Sequence, residues 1–169
     1  MLRRLLLCGF ASLCLVLPAR SALALGKEEP CFTNGVPDGT LTANWKIQAS
    51  KRDPQLTALL VGSWRSQAPN GVGGIAYSQA TYHPEGTLTF ERRTCVSMEG
   101  LGTSCPATIG HGYWAAHYSD GQTVFLATNV TFSGYDRVRR AGNCSGGYFR
   151  FVDRDTTMDQ QGATSRRAQ

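Results

Sequence analysis

The spacing of apolar residues changes near residue 60. Before it, Leu56, Leu59 and Leu60 fall on one face of a helical period, and Asp53-Pro54 offers an N-cap followed by proline at the first helical position. This predicts a short N-terminal helix ending near Gly62. Beyond it the period becomes two: Leu88 and Phe90 alternate with Thr87, Thr89 and Glu91, as in a strand with one buried and one wet face. The same reading predicts strands over 61–66, 76–83, 87–94, 111–118, 122–131, 135–140 and 147–152. Turn signals punctuate them, among them Pro84-Glu85-Gly86, Ser119-Asp120-Gly121 and the segment 142–146. Seven short strands joined by hairpin-like turns form an antiparallel meander. Its edges are hidden best by closure, so the expected fold is all-β: an up-and-down meander closed or nearly closed into a small barrel. A flat sandwich is the alternative.

The flanks read differently. Residues 1–24 combine Arg3 and Arg4, a 13-residue apolar run from Leu5 to Leu17, Pro18, and Ala22-Leu23-Ala24. A run of that length is too short for a membrane-spanning helix, and the pattern predicts a signal peptide cut after Ala24. Residues 25–52 are polar and turn-rich and read as an irregular N-terminal segment. The barrel domain is placed at 53–153, and the polar residues 154–169 read as a disordered tail. No later segment is apolar enough to span a membrane, so the product is not expected to be an integral membrane protein.

Removing the leader changes charge and cysteine content. Of 17 Lys and Arg, Arg3, Arg4 and Arg20 depart, leaving 14 against 12 acidic residues. The remaining excess is small, which argues against a nucleic-acid partner. Six cysteines become four, Cys31, Cys95, Cys105 and Cys144. An even count in an exported chain predicts two disulfides and a periplasmic or secreted location. Four cysteines allow three pairings. The preferred one joins Cys95 to Cys105 across a local loop and Cys31 to Cys144 between the N-terminal segment and the last hairpin.

Leu60-Val61-Gly62-Ser63-Trp64, following a short helix, resembles the Gly-x-Trp first strand of lipocalins and related calycin barrels. A second Gly-x-Trp stands at Gly112-Tyr113-Trp114, and the turns at 83–87 and 119–121 are similar to the hairpins of small lipocalin-like domains. The resemblance runs from about residue 53 to 152. It implies a barrel whose first-strand tryptophan, Trp64, closes the floor under an arginine of the last strand, matched here to Arg150. Both would be structural. The Thr-Asp-Tyr motif of typical lipocalins is absent.

Few residues suggest chemistry. His111 and His117 share a strand face with Tyr113, opposite Trp114, Ala116 and Tyr118, but six residues separate the imidazoles by ~20 Å, too far to share a metal. No serine has a nucleophile-elbow context, and Gly71-Val72-Gly73-Gly74 matches no phosphate-binding loop. Arg92, Arg93, Arg137, Arg139 and Arg140 are the main basic cluster, read as charge on an edge strand. No catalytic residue, metal or cofactor is assigned. The expected function is an exported, non-enzymatic barrel binding a small apolar or amphipathic ligand through Tyr77, Tyr82, Phe90, Tyr113 and Phe125. The alternative is a module for an exported protein partner, such as a barrel-type protease inhibitor with residues 25–52 as its arm.

Overall fold

The computed structural model describes residues 30–33, 35–69, 74–98, 100, 102–134 and 142–168. The leader, the strand expected over 135–140 with Arg137, Arg139 and Arg140, and Gly71, Val72 and Gly73 lie outside the described residues. Among the described residues, eleven strands and two helices follow in chain order: β1 (Phe32–Thr33), β2 (Val36–Pro37), α1 (Gly39–Ser50), α2 (Pro54–Leu60), β3 (Gly62–Pro69), β4 (Ile75–Tyr82), β5 (Thr87–Met98), β6 (Gly102–Ser104), β7 (Ala107–Tyr118), β8 (Val124–Gly134), β9 (Gly142–Asp153), β10 (Thr156–Asp159) and β11 (Thr164–Arg167).

Eight of the strands form a closed antiparallel barrel. Its order around the ring is β3, β4, β5, β7, β8, β9, β10 and β11, and β11 returns to pair with β3. No barrel strand is left with an open edge, which is the physical reason a meander closes. Register assigns the faces. Trp64, Ala80, Phe90 and Gly110 lie side by side across β3, β4, β5 and β7 and point inward. The inner core contains Leu56, Leu60, Trp64, Leu88, Trp114, Ala116, Val124 and Val130, with Tyr82, Phe149 and Phe151 against it.

α2 closes one end of the barrel. Asp53 caps it, accepting from the backbone N–H groups of Gln55 and Leu56 at 2.8 and 3.0 Å. Its apolar face buries Leu56 and Leu60 almost completely. Two arginine–tryptophan pairs reinforce this floor. Arg167 lies 4.5 Å from the centre of the Trp64 ring and donates to the carbonyls of Val61 and Leu59. Arg52 lies 4.9 Å from the Trp114 ring and donates to Thr57 Oγ1 and the Pro84 carbonyl. Gly62 is needed here: its φ is +123°, and a Cβ would sit 2.9 Å from Arg167 Nη1. The Gly-x-Trp pattern thus has a local cause, close approach of a guanidinium to the backbone beside the ring it covers.

Three expectations about the barrel itself change. The arginine over Trp64 is Arg167, not Arg150. Arg150 stands between Phe149 and Phe151, which pack inside, and so faces outward and is exposed. The residues beyond Asp153 are no frayed tail but supply β10 and β11, which close the ring. Segment 142–146, read as a turn, is the first part of β9.

The N-terminal segment is also ordered, with α1 where irregular chain was expected. Asp38 caps α1 by accepting from the Leu41 N–H at 2.9 Å, and this hydrogen bond holds its carboxyl below the usual range. α1 packs on the outer face of β7, β8 and β9, where Trp45, Ala115, Ala127 and Cys31 form a second buried cluster with Leu41, Ala49, Tyr113 and Phe125 against it. The Cys31–Cys144 disulfide fastens this strap to β9, and Cys95–Cys105 closes the loop carrying β6. Two disulfides mark a chain that matures in an oxidising environment.

Candidate functional site

On the side formed by β3, β11 and β10, the inward positions above the floor carry hydroxyls. The floor is apolar and aromatic; above it stand Ser66 on β3, Thr157 on β10 and Ser165 on β11. Between them the barrel holds a cavity of about 250 Å³. Leu60, Trp64, Tyr82, Leu126 and Phe149 form its apolar wall, and Ser66, Thr157 and Ser165 its polar one. Gly147, Asp159 and Ala163 also border it and are solvent-exposed, so the end opposite α2 is open.

Tyr82 joins the two halves of this cavity. Its ring packs edge-on against Trp114 at 5.0 Å, and burial pushes its phenol up to about 12. It therefore remains a neutral hydroxyl through the whole physiological range. Charge at the cavity is already engaged. Asp159 accepts through Oδ1 from the N–H groups of Gln161 and Ala163, which shapes the β10–β11 turn. Arg167, under the floor, is held by Asp155 at 2.9 Å as well as by Trp64.

The structure separates the five residues expected to line a ligand site. Tyr82 lines the cavity. Phe90 also points inward but does not border the cavity; it is in edge contact with Phe132 at 5.8 Å. Tyr77 has the opposite parity from Ser78 and Tyr82 and faces out, 45 % exposed. Tyr113 and Phe125 face outward beneath the strap, Phe125 stacking with His117 and Tyr148 at 5.4 and 4.9 Å. The neighbours of Tyr113 explain this: Trp114 takes the inward position, so Tyr113 cannot. Trp64 is structural and also lines the cavity. The sequence reading missed Ser66, Leu126, Thr157 and Ser165. The last two belong to strands it did not recognise, and no residue-type signal singles out a lone serine or threonine.

A larger groove of about 790 Å³ lies outside the barrel, bordered by Pro30, Phe32, His83, His111 and Tyr113. It is open and runs over strand-surface threonines such as Thr87, Thr89 and Thr131. The interior cavity is the better candidate for a ligand site because aromatic rings and hydroxyls both line it. Among the described residues no three His, Cys, Asp or Glu side chains come together as a metal site, and no helix is long and apolar enough to cross a membrane. Comparison of the chain with protein-family models, curated proteins and solved structures produced no match.

Proposed function

We propose that this is an exported, lipocalin-like carrier that holds a small apolar or amphipathic molecule inside its barrel, in the periplasm or outside the cell. The observation that carries the reading is the interior cavity: closed below by α2 and two arginine–tryptophan pairs, walled by Trp64, Tyr82 and Phe149, and open above. A barrel packed solid with side chains would have no such space. At about 250 Å³ it falls just under the ~300–1,000 Å³ of drug-sized sites, which favours a compact ligand over a long lipid. The two disulfides and the signal-like leader support export. The protease-inhibitor reading gains nothing from the structure, because residues 30–52 are folded against the barrel wall and do not form a free arm.

The test is native mass spectrometry of the protein from its own host compartment, paired with a cavity-filled variant. Gly147 borders the cavity, and a Cβ there meets nothing within 4 Å. Gly147→Leu is thus expected to fill the space without disturbing the backbone. A small molecule retained by the wild type and lost from this variant is the expected result. Equal retention by both, or no small molecule on either, would overturn the reading.

A further inference from the structure

The hydroxyls inside the barrel define the chemistry of the guest more narrowly, if the ligand-binding reading above is right. Ser66 pairs in register with Ser165, and Ser165 with Thr157. The three side chains therefore form a row across β3, β11 and β10, with neighbours ~4.8 Å apart. Tyr82 borders the same cavity from β4. Among the described residues, every fully buried side-chain nitrogen or oxygen has a hydrogen-bond partner. The hydroxyls of Ser66, Tyr82, Thr157 and Ser165 have no partner within the described protein. They must accordingly face reachable space, and the cavity is the space they share. Thr157 makes the point most sharply, being only 8 % exposed as a residue. Water reaches such a hydroxyl, so a guest that displaces the water must hydrogen-bond in its place or leave the hydroxyl unsatisfied at a cost.

Size and charge narrow the class. Among the described residues that line the cavity none is a cation: Arg92 shares the inward parity of Ser66 but is solvent-exposed and does not border the cavity, and Arg167 is committed to Trp64, Asp155 and two carbonyls. The Asp159 carboxylate already accepts two backbone N–H groups. A charged guest would be desolvated with no free opposite charge among the described lining residues to offset the loss. Three aromatic walls suit a flat ring.

We infer that the cavity takes a small, neutral ring compound bearing one hydroxyl or carbonyl group. The ring lies against Trp64 and Phe149, and the polar group meets the hydroxyls of Thr157, Ser165, Ser66 and Tyr82.

The experiment compares p-cresol, toluene and p-toluate on the disulfide-intact exported protein, read by isothermal titration calorimetry. p-Cresol is expected to bind about 3- to 10-fold more tightly than toluene, the gain of one net hydrogen bond, and p-toluate more weakly than either. The near-isosteric variants Thr157→Val and Tyr82→Phe are expected to shrink the p-cresol advantage while leaving toluene affinity unchanged. Toluene binding as tightly as p-cresol, or p-toluate binding best, overturns the assignment of a neutral polar guest but leaves a barrel ligand in place. Failure of all three to bind the wild type removes the inference together with the ligand-binding reading. The wild-type comparison stands even if a variant fails to fold.

Discussion

Two apolar clusters lie back to back across the wall formed by β7 and β8, and they are held together by different means. Trp114 and Ala115 are consecutive in sequence yet belong to different clusters. The inner one is dense with aromatic rings, Trp64 against Phe151 at 6.3 Å and Phe149 against Phe151 at 5.7 Å, and two arginines lie over its tryptophans. The outer one rests on a single tryptophan, Trp45, above the small side chains of Ala115 and Ala127, and it is covalently tied by Cys31–Cys144. Burial of large apolar surface suffices inside the ring. A strap of some twenty residues cannot bury enough to stay down by packing alone, and a disulfide makes up the difference.

The largest effect should come from the inner cluster. Trp64→Ala is expected to destabilise the fold by about 3–5 kcal/mol in denaturant unfolding, since it empties the floor and leaves Arg167 without its ring. Trp45→Ala is expected to cost distinctly less globally, because the strap can open while the barrel stays folded. An equal loss from both would erase the proposed contrast.

Next in size is the covalent tie. Replacing both Cys31 and Cys144 by serine is expected to cost about 2–4 kcal/mol, as the bridge spans 113 residues of sequence. Hydrogen exchange should then show the amides of α1 losing protection first while those of β7 and β8 keep theirs. Simultaneous loss in both regions would mean that strap and barrel form one cooperative unit.

Alkaline titration probes the interior alone. The Tyr82 phenol is raised from an ordinary value of 10.0 to about 12, so the unfolded chain gives up its proton first as pH rises. The stabilising contribution is whole below pH 10 and is lost as pH climbs through about 12, for a total of roughly 2–3 kcal/mol. Unfolding curves across that range should show the decline, and Tyr82→Phe should flatten it. An unchanged slope in the variant would place the alkaline sensitivity elsewhere.

The smallest effect separates two arginines. Arg167→Gln should cost about 1–2 kcal/mol through the lost ring contact and hydrogen bonds, while Arg150→Gln should stay within about 0.5 kcal/mol as an exposed change. Thermal melts of the two variants suffice to decide it.

Legibility in the sequence followed the strength of the local pattern. The alternation in β5 and β7 was plain, including the sorting of His111, Tyr113 and His117 to one face and Trp114 and Ala116 to the other. The Asp53-Pro54 start of α2 was equally readable, because a cap and an N1 proline are local signals. α1 was hidden by a misleading rhythm: Leu41, Ala43, Trp45, Ile47 and Ala49 alternate with polar residues as a strand would. It is a helix because Asp38 caps it and Leu41, Trp45 and Ala49, four apart, dock together on the wall. β10 and β11 were hidden by composition. Thr156-Thr157-Met158-Asp159 and Thr164-Ser165-Arg166-Arg167 have little apolar patterning, and they are strands because ring closure gives their backbones partners.

By itself, then, the chain's sequence determined the meander, the turns at 84–86 and 119–121, the first-strand tryptophan and the even set of four cysteines, since these depend on neighbours along the chain. Closure of the ring decided what depends on distant neighbours. It placed Arg167 over Trp64, turned Tyr77, Tyr113 and Phe125 outward, and gathered Tyr82, Ser66, Thr157 and Ser165 around one cavity. A side chain's parity is local, but which parity is the inside becomes defined only when the first and last strands of the barrel meet.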